Sequence, residues 1–391
     1  MKRVYLDNNA TTPVAPEVLE AMMPFLTGEF GNAGSIHSAG QRARAAIEKA
    51  REQVARLFSA RAAEIVFTSG GTESDNLAIL GAIGMAEGAR KHIVATQIEH
   101  SAVLRTCRAL EKEGVDVTYV PATSDGVVDP DDIRRALRPE TVLISVMFAN
   151  NELGTVQPLE KIGRIAAEAD VLFHTDAVQA AGKIPIDVEK LGVDLAAVSA
   201  HKFYGPKGVG ALYVRQGVRL KPILFGGEHS RDKRPGTENV AGIVGIGRAA
   251  QLVADNLERD AARIAALRDR FEQTILREVP EARVNGANAP RTPNTANITF
   301  AHIEGEAAVI ALDLKGMACS TGAACSSGAV EPSHVLTAVG MPPEEARASL
   351  RFSLGAPTTG ADVDFALSVI PAAIERLREL SPRYKKPVAA T

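Results

Sequence analysis

Short apolar runs rich in β-branched residues alternate along this chain with stretches whose apolar positions recur every three or four residues. Between 38 and 58, Ala43, Ala46, Ile47, Ala50, Val54, Leu57 and Phe58 fall at helical spacing, and EIVFT at 64–68 then reads as a buried strand. The alternation continues through HIVAT (92–96), a helix near 101–113, VDVTYV (115–120), a helix near 130–137, TVLISVMF (141–148), a helix near 158–169 and VLFHTD (171–176). DLAAVS (194–199) and GVGALYV (208–214) add two more strands. Apolar strands separated by amphipathic helices predict an α/β fold with a mostly parallel sheet covered on both faces.

Beyond 214 the pattern changes. Val253, Leu257, Ile264, Leu267, Phe271 and Ile275 recur at three-, four- and seven-residue spacing, which predicts a long helix bridging two domains. A loop at 285–294 (NGANAPRTPN), a strand at 297–300 (NITF), a helix from EGEAAVIALDLKG and a last helix before SPRY then form a compact α+β pattern. At 391 residues, 46% of them hydrophobic, the chain exceeds the size at which single cores stop growing. We expect a large domain at 15–255 and a smaller one from 1–14 with 256–391.

Charge narrows the function classes. The net charge is −3 with acids and bases interspersed, and no long basic block occurs, so direct nucleic-acid binding is not expected. No run of about 18 apolar residues free of charge predicts a membrane span. The N-terminus, MKRVYLDNNATTP, has no apolar signal core. Three cysteines, Cys107, Cys319 and Cys325, argue against a secreted disulfide framework and leave room for a reactive thiol. The expected compartment is the cytoplasm.

Candidate chemistry gathers at strand ends. SGGTESDN (69–76), with Gly71 and Thr72, sits between a strand and a helix, where backbone N–H groups hold a phosphate; a tight turn with Thr72 as helix cap explains it too. Asp176 ends its strand at the carboxyl edge of the sheet, as a partner for a protonated heterocycle or as a cap for the next segment. Lys202, in SAHKFYGPKG, suits a Schiff base with an aldehyde cofactor, with Lys207 as a rival and a solvated surface lysine as the plain alternative. Arg351, in the apolar SLRFSLG, needs an anion, whether a ligand carboxylate or a structural partner.

Cys325 lies in CSTGAACSSG, a small-residue stretch that cannot pack tightly and should move, whereas Cys107 and Cys319 fall in packed patterns. Cys319, Cys325 and His334 lack metal-ligand spacing. The glycines at 245–250 match a dinucleotide fingerprint but lack a preceding strand, and GPKGVG lacks the ending of a phosphate-binding loop.

Taken with YLDNNATTP, FGNAGSIHSAG, FTSGGTESDN, EHSAV, ANNELGT, HTDAVQ, SAHKFYGPKG, RPGTEN, PNTAN, EGEA, EPSHVL and LRFSLG, the chain resembles the fold-type I pyridoxal-phosphate (PLP) enzymes of the class V aminotransferase family, and among them the cysteine desulfurases of the NifS/IscS type. The resemblance covers nearly the whole chain. It implies a mostly parallel seven-stranded sheet covered by helices, a smaller α+β domain, PLP as cofactor and L-cysteine as substrate. By resemblance, Lys202 holds the cofactor, Asp176 pairs with its ring nitrogen, and His100 stacks on the ring and acts as acid and base. Asn151 and Gln179 address the ring hydroxyl, Gly71, Thr72, Ser199 and His201 hold the phosphate, and Arg351 clamps the substrate carboxylate. Thr237 would reach the phosphate of the neighbouring subunit, which implies a homodimer. Cys325 would receive the sulfur as a persulfide for an iron–sulfur scaffold or another acceptor protein, with transient cluster ligation beside a scaffold as a further implied contact. The chain departs from the family at Ala200, Thr321 and Ala323, none of which removes a reacting group, and its Cys325 segment resembles the longer, group I form.

Overall fold

The computed structural model describes residues 3–88, 90–226, 234–321, 331–382 and 384. Seven strands form the central sheet: β2 (Ile65–Thr68), β3 (His92–Thr96), β4 (Asp116–Val120), β5 (Thr141–Ser145), β6 (Leu172–Asp176), β7 (Leu195–Ser199) and β8 (Gly210–Val214), after a short β1 (Val4–Tyr5). Their order is β2-β8-β7-β6-β5-β3-β4, and only β8 runs against its neighbours β7 and β2. The expected mostly parallel sheet is thus present. The run at 141–148 is strand only to Ser145, although the Val146 and Phe148 amides still donate to His174 and Asp176 carbonyls.

Helices α1 (Pro16–Leu26), α2 (Ser38–Leu57), α3 (Gly71–Met85), α4 (Ser101–Lys112), α5 (Pro130–Ala136), α6 (Leu159–Glu168) and α7 (Val188–Leu191) fill the connections, and α8 (Val240–Glu278) leaves the sheet as a single long helix. Alternation along each strand divides the side chains between two apolar clusters. Val94, Ala196 and Val198 join α2, α6 and the start of α8 on one face, while Ile93, Ala95, Leu195 and Ala197 join α3 and α4 on the other. Burial on both faces explains why these strands read as unbroken apolar runs.

A third cluster draws Val4 and Leu6 together with Ile264, Phe271 and Ile275 of α8 and the elements that follow. These are β9 (Ala282–Val284), β10 (Thr295–Phe300), α9 (Gly305–Leu314), β11 (Met317–Ala318), α10 (His334–Ala338), α11 (Pro343–Arg347), β12 (Ser349–Ser353) and α12 (Gly360–Leu380). Strands β12, β10 and β9 make an antiparallel sheet, and β1 pairs in parallel with β11. Phe352 stacks between Phe271 and Phe300 in its centre. From α10 and α11, however, Val335, Leu336, Val339 and Ala346 pack into the core of the large sheet. The glycines at 245–250 lie inside α8, so they form no ligand loop.

The sheet delivers one close approach that matters for the site. A Cβ at Gly210 of β8 would lie 2.6 Å from both the Gly70 Cα and the Val198 carbonyl oxygen, so β8 runs flush against the turn that starts α3. Both obstacles are backbone and neither can rotate away. Gly210→Ala should therefore lower the urea midpoint without changing the slope, by about 1–3 kcal/mol, in equilibrium unfolding followed by circular dichroism.

Candidate active site

The carboxyl ends of β6 and β7, the turn after β2 and the N-terminal segment 7–12 meet at one place. Asp176 is buried at the end of β6, and its Oδ1 accepts the Val178 amide at 2.9 Å. The capping role and a free second oxygen coexist, because no hydrogen bond reaches Oδ2 among the described residues. Burial raises the Asp176 pKa, opposed by the nearby His100 and Lys202 charges. His100 caps the N-terminus of α4 by accepting the Ala102 amide on Nδ1 at 3.1 Å. A ligand atom of His100 lies within 4.8 Å of carboxylate oxygens on Asp176 and Asp75. Burial lowers the His100 pKa, Asp176 pulls it back up, and Lys202 and His334 add to the lowering.

Lys202 follows β7 in a short 3-10 turn, and its Nζ donates to the carbonyls of Asn9 and Ala10, both at 2.7 Å. Its rival Lys207 is solvent-exposed. Burial, with the Arg351 charge adding to it and Asp176 opposing, pushes the Lys202 amine down to about 8. A lysine in that range exchanges protons near neutral pH, which a surface lysine does not.

Asn9 organises the floor of the site. Its carbonyl accepts from Lys202 and, at 3.0 Å, from Gln179 Nε2. Its side-chain Nδ2 donates to the Asn151 carbonyl at 3.1 Å and to Thr295 Oγ1 at 2.9 Å. Arg351, buried in β12, donates to that same Asn151 carbonyl at 3.0 Å and to Asp7 Oδ1 at 2.7 Å. Arg351 thus has the structural partner that its apolar setting demanded, yet its buried Nε has none among the described residues and each terminal nitrogen holds a second N–H.

Gly71 and Ser199 lie side by side, for a Cβ on Gly71 would stand 2.9 Å from Val178 Cγ2 and 3.7 Å from Ser199 Cβ. Helix α3 begins at Gly71 with Gly70 as its cap; Thr72 is therefore an exposed first-turn residue and not the cap. His201 bonds through Nδ1 to Thr11 Oγ1 at 3.1 Å, and burial, reinforced by Lys202, lowers it to about 4. Thr237 is exposed, three residues from Arg234, whose Nε reaches Glu73 Oε1 of α3 at 2.9 Å. Cys325 lies outside the described residues. The segments before and after it are fastened at the site: Ser320 pairs with Arg351 across their backbones, Ser333 Oγ donates to Glu152, and His334 Nε2 meets the Glu99 carbonyl at 3.0 Å. Cys107 and Cys319 are buried thiols, both pushed by burial to about 12, as suits packing.

Behind Asp176 stands a second rank of ionisable groups that the motifs did not single out. Asp75 Oδ1 faces His174 Nε2 at 3.4 Å, and His174 Nδ1 bonds to Ser145 Oγ at 2.9 Å. Burial lowers His174 to about 3, while burial and the charges of Asp176 and Glu99 hold Asp75 well above the usual carboxylate range. The signal was available in HTD: His174 and Asp176 are two residues apart in an apolar strand and so share a face. Asn9 and Lys183 are the other omissions, since neither a lone asparagine in a turn nor a lone lysine declares a partner.

A buried carboxylate with an open oxygen, a lysine of depressed pKa and a glycine turn at a helix N-terminus are the donor set that a phosphorylated pyridine aldehyde needs. The residues present fit PLP. The chain belongs to the class-V aminotransferase family, whose model matches residues 4–365. It is 50% identical over 387 residues to the cysteine desulfurase IscS of Dictyoglomus turgidum, covering 99% of this chain and 98% of that one. Among solved structures it resembles a NifS-like protein (TM-score 0.90, 39% identity, 96% of this chain and 100% of the other) and SspA in complex with cysteine (TM-score 0.81, 39% identity, 91% and 100%). The protein is a PLP-dependent cysteine desulfurase, a sulfurtransferase of the NifS/IscS type. No helix among the described residues is long and apolar enough to cross a membrane.

Glu99, next to His100, supplies a test of this electrostatic setting. Burial raises its carboxyl to about 8 from 4.5, although Thr96 and the Met147 amide donate to Oε1. The unfolded chain releases this proton first, so the stability present below pH 4.5 is lost as pH rises to about 8. Between pH 6 and 8 the protein should lose on the order of 2 kcal/mol through this group. Glu99→Gln should flatten that slope in urea unfolding measured across the range.

Proposed function

We propose that Lys202, Asp176, His100, Arg351 and Cys325 carry out the desulfuration, with Lys202 as the residue that holds the cofactor. Its amine of pKa about 8 beside the Asp176 carboxylate is the observation that supports this reading best. When bound, PLP supplies an aldehyde that condenses with amines and a protonated ring that takes up electrons as the Cα–H bond of the substrate breaks. Asp176 holds the ring proton in place. Gly71, Thr72, Ser199 and His201, with Thr237 of the partner subunit, bind the phosphate, and Asn151 and Gln179 orient the ring hydroxyl.

Arg351 receives the carboxylate of L-cysteine on its remaining N–H groups. Lys202 takes the Cα proton, and His100 moves a proton at its ring. The Cys325 thiolate attacks the substrate sulfur, the substrate C–S bond breaks, and an S–S bond forms on Cys325. The Cys325 sulfur and the substrate sulfur are oxidised together to the persulfide level, while the substrate carbon that loses its sulfur takes the electron pair and a proton to become the methyl of L-alanine, so no external oxidant is consumed. Attachment of Ser320, Ser333 and His334 beside Arg351, Glu152 and Glu99 supports delivery of this thiol to the site.

The sulfur acceptor in this reading is an iron–sulfur scaffold or a related acceptor protein, with transient cluster ligation by Cys325, and the compartment is the cytoplasm. The active unit is a homodimer, which Phe30, Ile36 and Phe225, each at least 85% exposed, support as apolar surface awaiting cover. The domain division at 15–255 against 1–14 with 256–391 draws support from the apolar cluster that joins Val4 and Leu6 to Ile264, Phe271 and the later strands, although Val335, Leu336, Val339 and Ala346 pack into the core of the large sheet.

Cys325→Ala should keep the visible band of the bound cofactor and lose sulfide release from cysteine by about 100-fold or more under reductant. Lys202→Ala should lose the band itself. Undiminished cysteine turnover in Cys325→Ala would overturn the persulfide route in favour of direct elimination.

A further inference from the structure

Lys183 has no part in the roles above, yet its amine lies in the floor of the site. It sits one turn beyond Gln179, its Nζ 3.0 Å from Asn9 Oδ1 and in short contact with Gln179 Oε1. No carboxylate pairs with it among the described residues, and the charges that act on it, Lys202 and Arg351, are both positive. Asp7 and Asp176, the anions of the site, act on Lys202 instead. Burial accordingly lowers its pKa well below 10.5. An amine held against two amide oxygens under these conditions gains no ion pair in return for its desolvation.

What it does gain is direction. A lysine nitrogen in either charge state can donate to two oxygens, and a backbone carbonyl can only accept. Gln179 is therefore held at both ends: Oε1 must face Lys183, and Nε2 must face the Asn9 carbonyl. The second N–H of that Nε2 is the group left for a ligand. Asn9 is held likewise, its Oδ1 taking Lys183 and Asn294 while its Nδ2 serves Asn151 and Thr295.

We propose that Lys183 is a positioning residue that locks the Gln179 side-chain amide with its NH2 end toward the ring oxygen of the cofactor. The inference rests on the proposed role of Gln179 and adds the reason its amide cannot turn. A donor on that oxygen favours the state in which the oxygen bears more negative charge, which is the deprotonated one. Loosening the donor raises the pH midpoint at which the visible band of the bound cofactor changes.

The test compares holoenzymes of the wild type, Lys183→Met, Lys183→Ala, Gln179→Leu and the double variant Lys183→Met/Gln179→Leu by absorbance titration. Lys183→Met should raise the midpoint by about half a unit to one unit, the size of one modest hydrogen bond. Lys183→Ala, whose smaller side chain cannot crowd the floor, should do the same. Gln179→Leu should raise it at least as far, and the double variant should match Gln179→Leu alone. An unmoved midpoint in both Lys183 variants beside a shifted Gln179→Leu would overturn the role of Lys183 and leave that of Gln179 standing. Additive shifts in the double variant would also overturn it, because they mark the loss of a charge acting through space. An unmoved midpoint in Gln179→Leu would instead remove the reading of Gln179 on which the inference rests.

Discussion

A single carbonyl, that of Asn9, accepts both Lys202 Nζ and Gln179 Nε2, and the site depends on that shared acceptor. Asn9 comes from the N-terminal segment, whose β1 pairs with β11 and whose Asp7 bridges to Ser353 of β12. Lys202 and Gln179 come from the ends of β7 and β6 in the other sheet. The two sheets are therefore registered to one another through the groups proposed to meet the cofactor. Arg351 repeats the arrangement one step out, reaching from β12 to the Asn151 carbonyl of the large sheet and to Asp7. Any shift between the two layers moves the proposed lysine, the ring partners and the carboxylate clamp relative to each other.

The second constraint is electrostatic. The charges of Lys202 and Arg351 act on Lys183, and those of Asp176 and Glu99 act on Asp75, while burial disfavours the charged forms of Lys202, Lys183, Asp176, Asp75 and Glu99. Burial and the Arg351 charge lower Lys202, and Asp176 and Asp7 oppose them. Burial raises Asp75, Glu99 and Asp176 alike, but at Asp176 the charges of His100 and Lys202 oppose it. His174, kept neutral by burial, can neither neutralise Asp75 nor compete for its charge. A base near neutral pH and a carboxylate able to stabilise a cation arise in this way from where the strands end, with few direct ion pairs.

Much of this was legible along the chain. Two-sided burial wrote itself as unbroken apolar runs, and β3 matches HIVAT residue for residue. Asp176 and Lys202 were visible because polar groups at strand ends stand out from such runs. The alternative reading of Thr72 as a cap follows cap preference, which favours threonine, whereas the structure gives the cap to Gly70, packed against Gly210. The difference between Lys202 and Lys207 is beyond spacing alone: burial and the carbonyls of Asn9 and Ala10, nearly two hundred residues away, set Lys202 apart. Lys183 and Asn9 were illegible for the same reason, since their meaning is entirely in their partners.

Arg351 shows how one residue serves both layers. Its backbone pairs with Asn297 on one side and with Ser320 on the other, so its position is set by the smaller sheet and by the segment that leads toward Cys325. Its guanidinium, in contrast, is set by Asp7 and the Asn151 carbonyl at the cofactor floor. The guanidinium proposed to take the substrate carboxylate is thereby tied to Asp7 and the Asn151 carbonyl by its side chain and to Ser320 by its backbone. The unpartnered Nε, buried and costly to leave without an acceptor, is consistent with a side chain whose geometry is dictated from outside its own strand. The same tie explains why the chain brings its N-terminus back across the molecule: without Asp7 beside it, the charge of Arg351 would be buried alone beside Lys202 and lower that amine further.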